Sequence, residues 1–357
     1  MARMIAENRK RSRSKRIALG VLSGAWLLTA CGLSSLARAG APDACEPPPA
    51  SPSTVNVTDK GATGDGLTDD TAAIQAAIDA IGGTKGTVLV PKGTYMVDTT
   101  SKARLKLKDD MTLKLADGAT LKAIPNDSEK YAVLTIFGVA NVWVIGGTLE
   151  GERDQHKGKS GQWGFGIRIG KGAKHITIGG VTSKKMWGDG FYVQGAEDVR
   201  FCGVTADANR RQGLSVIQVD GLLVLNSVFK NTHGTRPSAG IDFEPDDASQ
   251  QITNVRIVNS KFLDNAGAGI LVAGKKAHVT KIEMTRNVFR NNPVVVEYSP
   301  SIAAAICGNR QISTQTESAG GFNAYAEPIE VVALQNDCGG GGFVVDRQKK
   351  RKTPLND

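Results

Sequence analysis

The chain has 357 residues, 40% hydrophobic, 22% charged and 5% aromatic, a balance that suits a folded body and excludes a mainly disordered or multi-span membrane protein. Its net charge of +9 sits at the ends: residues 1–40 hold eight Lys/Arg and one Glu, residues 346–357 hold five Lys/Arg and two Asp, and what lies between sums to −1. A near-neutral body has no electrostatic footprint for nucleic acid, and 42 glycines without a Gly-X-Y period exclude collagen and suit a fold with many tight turns.

Residues 1–39 read as an export signal: a basic stretch at 9–16, an apolar run over 17–36, then Ala37-Arg38-Ala39 as a small-x-small cleavage pattern before Gly40. Two other readings stay open. Leu28-Thr29-Ala30-Cys31 resembles a lipobox, which would make a lipidated Cys31 the only membrane attachment. The apolar run is also long enough to persist as an anchor. All three place the body outside the cytoplasm, secreted or periplasmic. Residues 40–54, with Pro47-Pro48-Pro49, read as a linker.

The pattern next predicts one short helix over 67–81. Thr68 or Asp69 can cap its start, Ile74, Ala77, Ile78 and Ile81 form an apolar stripe, and Gly82-Gly83 ends it. Beyond it a repeat runs through the chain. Gly166, Gly190, Gly213, Gly240 and Gly269 each open a strand pattern of apolar, variable, apolar: Ile167/Ile169, Phe191/Val193, Leu214/Val216, Ile241/Phe243 and Ile270/Val272. Alternation of period two means a strand with one face buried. Each repeat adds a second run (175–178, 199–202, 222–225, 255–258, 281–284) and a third apolar beat at Val181, Val204, Val228, Phe262 and Phe289. Three short strands per repeat, in register, describe coils of a parallel β-helix, an all-β solenoid in which no coil buries its own core but the stack does. About ten coils fit the body, which spans 55–345. The helix would cover the open N-terminal end, Asn226, Asn231, Asn259, Asn265, Asn287 and Asn291 would serve turns, and 346–357 would be a basic disordered tail.

Cleavage at either signal site leaves Cys45, Cys202, Cys307 and Cys338 in a compartment that permits disulfides. Cys202, in a strand-like run, reads as a buried free thiol, and Cys307 with Cys338 as the pair. No CxxC or His/Cys cluster occurs, so no metal site is expected, nor any cofactor.

Residues 55–97, from Val55-Asn-Val-Thr-Asp-Lys-Gly-Ala-Thr-Gly-Asp-Gly through Gly86-Thr-Val-Leu-Val-Pro-Lys-Gly-Thr-Tyr, resemble the entry segment of the pectate-lyase-like superfamily, which includes rhamnogalacturonases, polygalacturonases, alginate epimerases and phage tailspike depolymerases. The repeats extend the resemblance to about residue 293. It implies a right-handed parallel β-helix, and a carbohydrate ligand in a groove along the coils. It does not imply one reaction. The combined polygalacturonase set of Asn-Thr-Asp, Asp-Asp, Gly-His-Gly and Arg-Ile-Lys does not occur in this sequence, nor does the Asp-Pro-His motif of alginate epimerases.

The position two after each repeat glycine lies between buried neighbours and is expected to face solvent: Arg168, Tyr192, Ser215, Asp242 and Leu271, with Gln194 and Glu244 two residues further on. The preceding turns add Trp187, Asp189, Arg211, His233 and Arg236. Asp242 and Glu244, at i and i+2, would lie on one face about 7 Å apart at Cα, a separation that serves glycosidic cleavage by acid and base. Asp189 could fill the second role; a plain salt-bridge ladder with Arg211 and Arg236 is the bland alternative. A second group, Arg153 and His156 with Trp163 in the loop 158–166, could stack on a sugar and pair with its carboxylate. The sequence therefore points to an exported, monomeric, polysaccharide-active enzyme, a glycoside hydrolase first. A lyase or epimerase acting on a uronic-acid polymer, with Arg211, His233 or Tyr192 as base, is the second reading. A non-catalytic carbohydrate-binding β-helix is the third.

Overall fold

A computed structural model describes residues 44–100, 104–272, 278–293, 296–298, 304–307 and 309–312. The signal segment, the tail and residues 313–345 lie outside the described residues.

The alternating pattern becomes stacked coils. One sheet is a single column of ten parallel strands from Asp65–Asp69 to Arg310–Ile312. A fifteen-stranded sheet wraps the remaining sides. In three repeats the first two runs prove to be halves of one strand, whereas in the Gly240 repeat they are separate strands, Ile241–Phe243 and Gln251–Val258. Trp163–Gly179, Asp189–Cys202 and Gln212–Leu225 each bend round a corner, with the register shifting at that bend. The glycines that open the repeats have a packing reason. A Cβ on Gly190 would meet the Gly213 carbonyl oxygen at 2.7 Å, and one on Gly213 would meet that of Gly240 at 2.4 Å. Successive coils thus touch backbone to backbone there.

The inward columns are as expected: Ile167, Phe191, Leu214, Ile241 and Ile270 pair in sequence and are fully buried. Truncating Ile241 to Ala is expected to cost about 2–5 kcal/mol, because stacked neighbours cannot collapse into the cavity; denaturant unfolding measures it. The third beat needs correction. Phe229, not Val228, pairs with Phe262, and Phe229, Phe262 and Phe289 stack at centroid distances of 5.4 and 4.9 Å. Of the turn asparagines, Asn226 (φ 52°) and Asn259 (φ 50°) occupy the left-handed corner held one and two coils earlier by Gly203 and Gly180. Asn265 and Asn287 are instead buried, each donating to a carbonyl of the preceding coil, Phe229 O and Ile257 O.

The helix runs Thr71–Ile81, four residues shorter at its start than the pattern predicts. Residues Asp65–Asp69 are a strand instead, drawn into pairing with Thr94 and Met96. Asp70 is the N-cap residue but spends its carboxylate on the Thr63 and Gly64 amides, while Asp69 accepts from the Thr71 amide. Ile74, Ala77, Ile78 and Ile81 join the core, and Gly82 closes the helix.

Cys202 is not a free thiol: it is bonded to Cys45, Cα to Cα 6.0 Å. Residue 202 ends its strand at a corner, where its side chain can meet the linker that passes outside the coils. The Cys307–Cys338 pairing lies outside the described residues. Because the Cys45–Cys202 link closes a loop of 157 residues, Cys202→Ser is expected to lower stability by about 2–5 kcal/mol, seen as an earlier unfolding midpoint without reductant that wild type matches only when reduced.

Candidate functional site

Thr135, Arg168, Tyr192, Ser215, Asp242 and Leu271 form one continuous row, each paired with the next coil. The row points away from the core, as expected, but its middle does not face solvent, while Arg168 and Leu271 are half-buried. Ser215 and Asp242 are 0% and 1% exposed and Tyr192 9%. The covering groups come from the turns before each strand and from neighbouring coils. Tyr192 packs with Ala132, Phe165 and Ile217 in a small apolar cluster outside the coil core, and Arg211 lies across Ser215.

Arg211 organises the site. Its Nη1 and Nη2 donate to Glu244 Oε1 and Oε2 at 2.8 and 2.5 Å, and Nη1 also reaches Asp189 Oδ2 at 3.3 Å and Ser215 Oγ at 3.2 Å. Ser215 donates to Asp189 Oδ2 at 3.0 Å. Gln212 adds a member: its Oε1 accepts the Ala239 amide, which fixes its Nε2 to donate to Asp242 Oδ2 at 2.6 Å. Two carboxyl groups, Asp189 and Glu244, thus share one guanidinium, whose fork is taken chiefly by Glu244, while the third, Asp242, is held by Gln212. The charge states separate accordingly. Burial pushes Asp189 up to about 7, with Arg211 pulling the other way. Burial and then the nearby Glu244 push Asp242 well above the carboxylate range. Arg211 resists its own burial through Asp189 and Glu244 and is held charged. Only Glu244, its side chain 21% exposed, opens to solvent. Asp189 Oδ1 and Asp242 Oδ1 are buried without a hydrogen-bond partner.

The other expected residues fall into neighbouring groups. Tyr192 donates to Gln194 at 3.2 Å, and burial raises its hydroxyl to about 12, which argues against it as a base at neutral pH. The Arg168 guanidinium lies 5.1–5.7 Å from the ring centres of Phe137, Phe165 and Tyr192. Trp187 is sandwiched between His156, ring to ring at 3.8 Å, and the Arg210 guanidinium at 3.8 Å. His156 Nδ1 faces Glu152 at 3.0 Å, and Tyr131 donates to the same carboxylate at 2.5 Å. The His156 and Glu152 side chains are buried, with Trp187 and Arg210 partly exposed over them, so His156 braces the wall rather than meeting a ligand. Arg153 is tied to the Ala208 carbonyl at 2.7 Å. Trp163 is 40% exposed. His233 and Arg236 are exposed in the loop after the Val228–Lys230 strand, and His233 is turned to the Asn231 carbonyl. The salt-bridge alternative forms in part: Arg211 takes both Asp189 and Glu244, but buried and not on the surface, while Arg236 stays outside that network. Sequence reasoning missed Tyr131, which lies before the regular repeat begins. Among the described residues no group of three His, Cys, Asp or Glu is placed to hold a metal ion.

A family model described as Rhamnogalacturonase A/epimerase, pectate lyase-like matches residues 54–115. The uncharacterized protein YclG of Bacillus subtilis (strain 168) is 28% identical over 268 residues, 63% of this chain and 46% of YclG. Mannuronan C5-epimerase AlgE4 of Azotobacter vinelandii is 39% identical over 155 residues, 38% of this chain and 27% of the epimerase. The chain thus spans less than half the length of these relatives. Among solved structures, the Streptococcus pneumoniae surface protein and adhesin PfbA superposes with a TM-score of 0.54 at 20% identity, covering 74% of this chain and 81% of that one; the two share a fold.

Proposed function

We propose that this parallel β-helix, whose entry segment matches a pectate-lyase-like family model, is an exported enzyme acting on a polysaccharide laid along the outer face of its larger sheet. The observation that carries the reading is the split among three carboxyl groups around Arg211: Asp189 and Asp242 are driven toward the neutral acid, while Glu244 holds the guanidinium fork. Paired groups whose surroundings push them apart are the pattern of acid and base catalysis. In hydrolysis, Asp242, itself buried, would deliver its proton to the glycosidic oxygen through one water as that bond breaks. Glu244 would take a proton from the attacking water or itself attack the sugar carbon. Asp189, behind them with Ser215, would hold Arg211 in place.

A second reading is epimerisation or elimination on a uronic-acid polymer. The local 39% identity to a mannuronan C5-epimerase favours it, and Arg211 is the cation that could neutralise a substrate carboxylate. Incubation with a panel of acidic and neutral polysaccharides tests both. New reducing ends without ultraviolet absorbance mean hydrolysis, a new C=C absorbance means elimination, and solvent deuterium in a chain of unchanged length means epimerisation. Binding with none of these would leave a non-catalytic carbohydrate-binding protein and overturn the enzymatic reading. Export is part of the proposal: mature protein should begin near Gly40 or at a lipidated Cys31, as intact mass would read, and a full-length cytoplasmic product would refute it.

A further inference from the structure

Trp187 and Arg210 stand beside the carboxylate cluster in sequence and are gripped from outside it. Trp187 lies two residues before Asp189, and Arg210 directly before Arg211. The two turns are joined by backbone bonds, the Arg210 amide to Met186 O at 3.0 Å and the Arg211 amide to Gly188 O at 2.9 Å. Arg210 adds side-chain bonds, Nη1 donating to Gly161 O at 3.0 Å and to Trp187 O at 3.3 Å. His156 stacks on the indole at an interplanar angle of 15°, and the Trp187 amide donates to the Tyr131 hydroxyl oxygen at 3.4 Å. With His156 and Arg210 on its faces, the indole offers none to a sugar, so the binding role expected of Trp187 is closed to it. The grip is costly. The Glu152 and His156 side chains are 0% and 1% exposed, and His156 Nε2 and Trp187 Nε1 are buried without a hydrogen-bond partner. On the same wall, Ala132, Phe165 and Ile217 do the covering with apolar groups alone. A buried acid–base pair under one indole is better explained by a need to hold that indole in one place.

We propose that Tyr131, Glu152, His156, Trp187 and Arg210 form a positioning clamp that sets Asp189 and Arg211 for the reaction, none of the five meeting the reacting atoms of the substrate. The chain of contacts is short. Tyr131 and His156 meet on Glu152, His156 presses on Trp187 and Trp187 on Arg210, and one peptide bond links Arg210 to Arg211. Arg211 must then reach Glu244, Asp189 and Ser215 at once, with bonds of 2.5–3.3 Å. A misplacement of about 1 Å at such a site costs on the order of 10²-fold in rate. The inference rests on the proposed acid–base function and adds to it residues that act only through Asp189 and Arg211.

The test follows the Asp189 carboxyl by NMR of aspartate-labelled full-length protein, assigned with Asp189→Asn. The charged groups facing Asp189 are Arg211, Glu244 and Asp242; a clamp variant acts on it by loosening its turn and admitting water. Trp187→Leu should bring the Asp189 midpoint down from about 7 by about one pH unit or more, as water relieves the burial that raises it. On whichever polysaccharide the panel identifies, it should lower kcat about 10-fold or more with KM near wild type. Trp187→Phe, which keeps a ring between His156 and Arg210, should restore most of both. Arg210→Gln, at a partly exposed position, should move the midpoint the same way and serves if Trp187→Leu does not fold. Leu121→Ala, a core truncation in an earlier coil, should lose stability without moving Asp189. An unmoved Asp189 midpoint in Trp187→Leu and Arg210→Gln, a shift that Leu121→Ala reproduces, or a rise in KM at unchanged kcat would overturn the clamp, the last by returning Trp187 to substrate binding. Failure of the acid–base reading looks different: Glu244→Gln would keep full turnover while Asp189 still answered to Trp187.

Discussion

Glu244→Gln is expected to lower turnover on a confirmed substrate by about 10²-fold or more, the usual contribution of one general acid or base, with substrate affinity close to wild type and an earlier unfolding midpoint, since the buried Arg211 loses one prong of its two-pronged bond. Glu244 is the carboxylate that opens to solvent, and its amide keeps one acceptor for Arg211 while removing the proton-transfer group. Asp242→Asn is a second probe. The Gln212 bond can persist, since an amide oxygen accepts from Nε2 as a carboxyl oxygen does, so a loss of activity there reports the missing proton rather than lost packing. If both amide variants retain near-normal turnover, the cluster is structural and the chemistry lies elsewhere on the sheet. The pH profile supplies a separate check. Asp189 is raised from 3.8 to about 7 in the folded state. The folded protein therefore holds a proton that the unfolded chain releases between those values. Stability from this group is fully present below about pH 4 and is lost as pH rises toward 7, at up to about 1.4 kcal/mol per pH unit for one proton. Asp189→Asn should flatten that part of the stability curve. If a protonated Asp242 is the acid, activity should fall on the alkaline side as it ionises.

The coil architecture was legible because the repeat states it many times over. Ile167/Ile169 through Ile270/Val272 give the same inward pair five times, and any slip of one residue would turn all of them outward. The gathering of Asp189, Arg211, Ser215, Asp242 and Glu244 could be foreseen for the same reason, since spacing alone puts them on adjacent coils. Their burial could not. Period two tells core from non-core, but it does not tell a bare outer face from one roofed by turn residues. Arg211 reaches Glu244 across 33 positions, a contact that depends on the shape of the turns. The disulfide was illegible for a related reason: Cys45 lies in a linker with no register, so nothing in the sequence ties it to Cys202. The helix start was misplaced because Asp65–Asp69 finds a partner strand some thirty residues on, in Thr94 and Met96, and tertiary pairing overrode the local capping signal. The clamp on Trp187 depends on Tyr131, which precedes the glycine-led repeat.

Arg211→Met is expected to give the largest loss of stability, about 3–5 kcal/mol, the cost of breaking a buried ion pair by removing one partner. Sequence reasoning alone leaves it an exposed cation, either a rung of a surface salt-bridge ladder or a candidate base. Its burial changes that expectation: Arg211 is 8% exposed and holds Asp189, Ser215 and Glu244 together. Without it, Asp189 and Glu244 lose their common cation, and Asp242 faces Glu244 with no countercharge between them. Arg211→Lys should recover only part of the loss, because a single ammonium cannot make the two-pronged bond to Glu244 and also reach Asp189 and Ser215. A double-mutant cycle distinguishes an ion-pair effect from lost packing. Adding Glu244→Gln to Arg211→Met should restore part of the stability, since it removes the charge left uncompensated, and the two changes should therefore be non-additive. Denaturant midpoints of the four proteins decide it. Strict additivity, or an Arg211→Met variant within about 0.5 kcal/mol of wild type, would mean that the three carboxyl groups are stable without Arg211. The charge separation on which the proposed acid and base depend would then have no structural support.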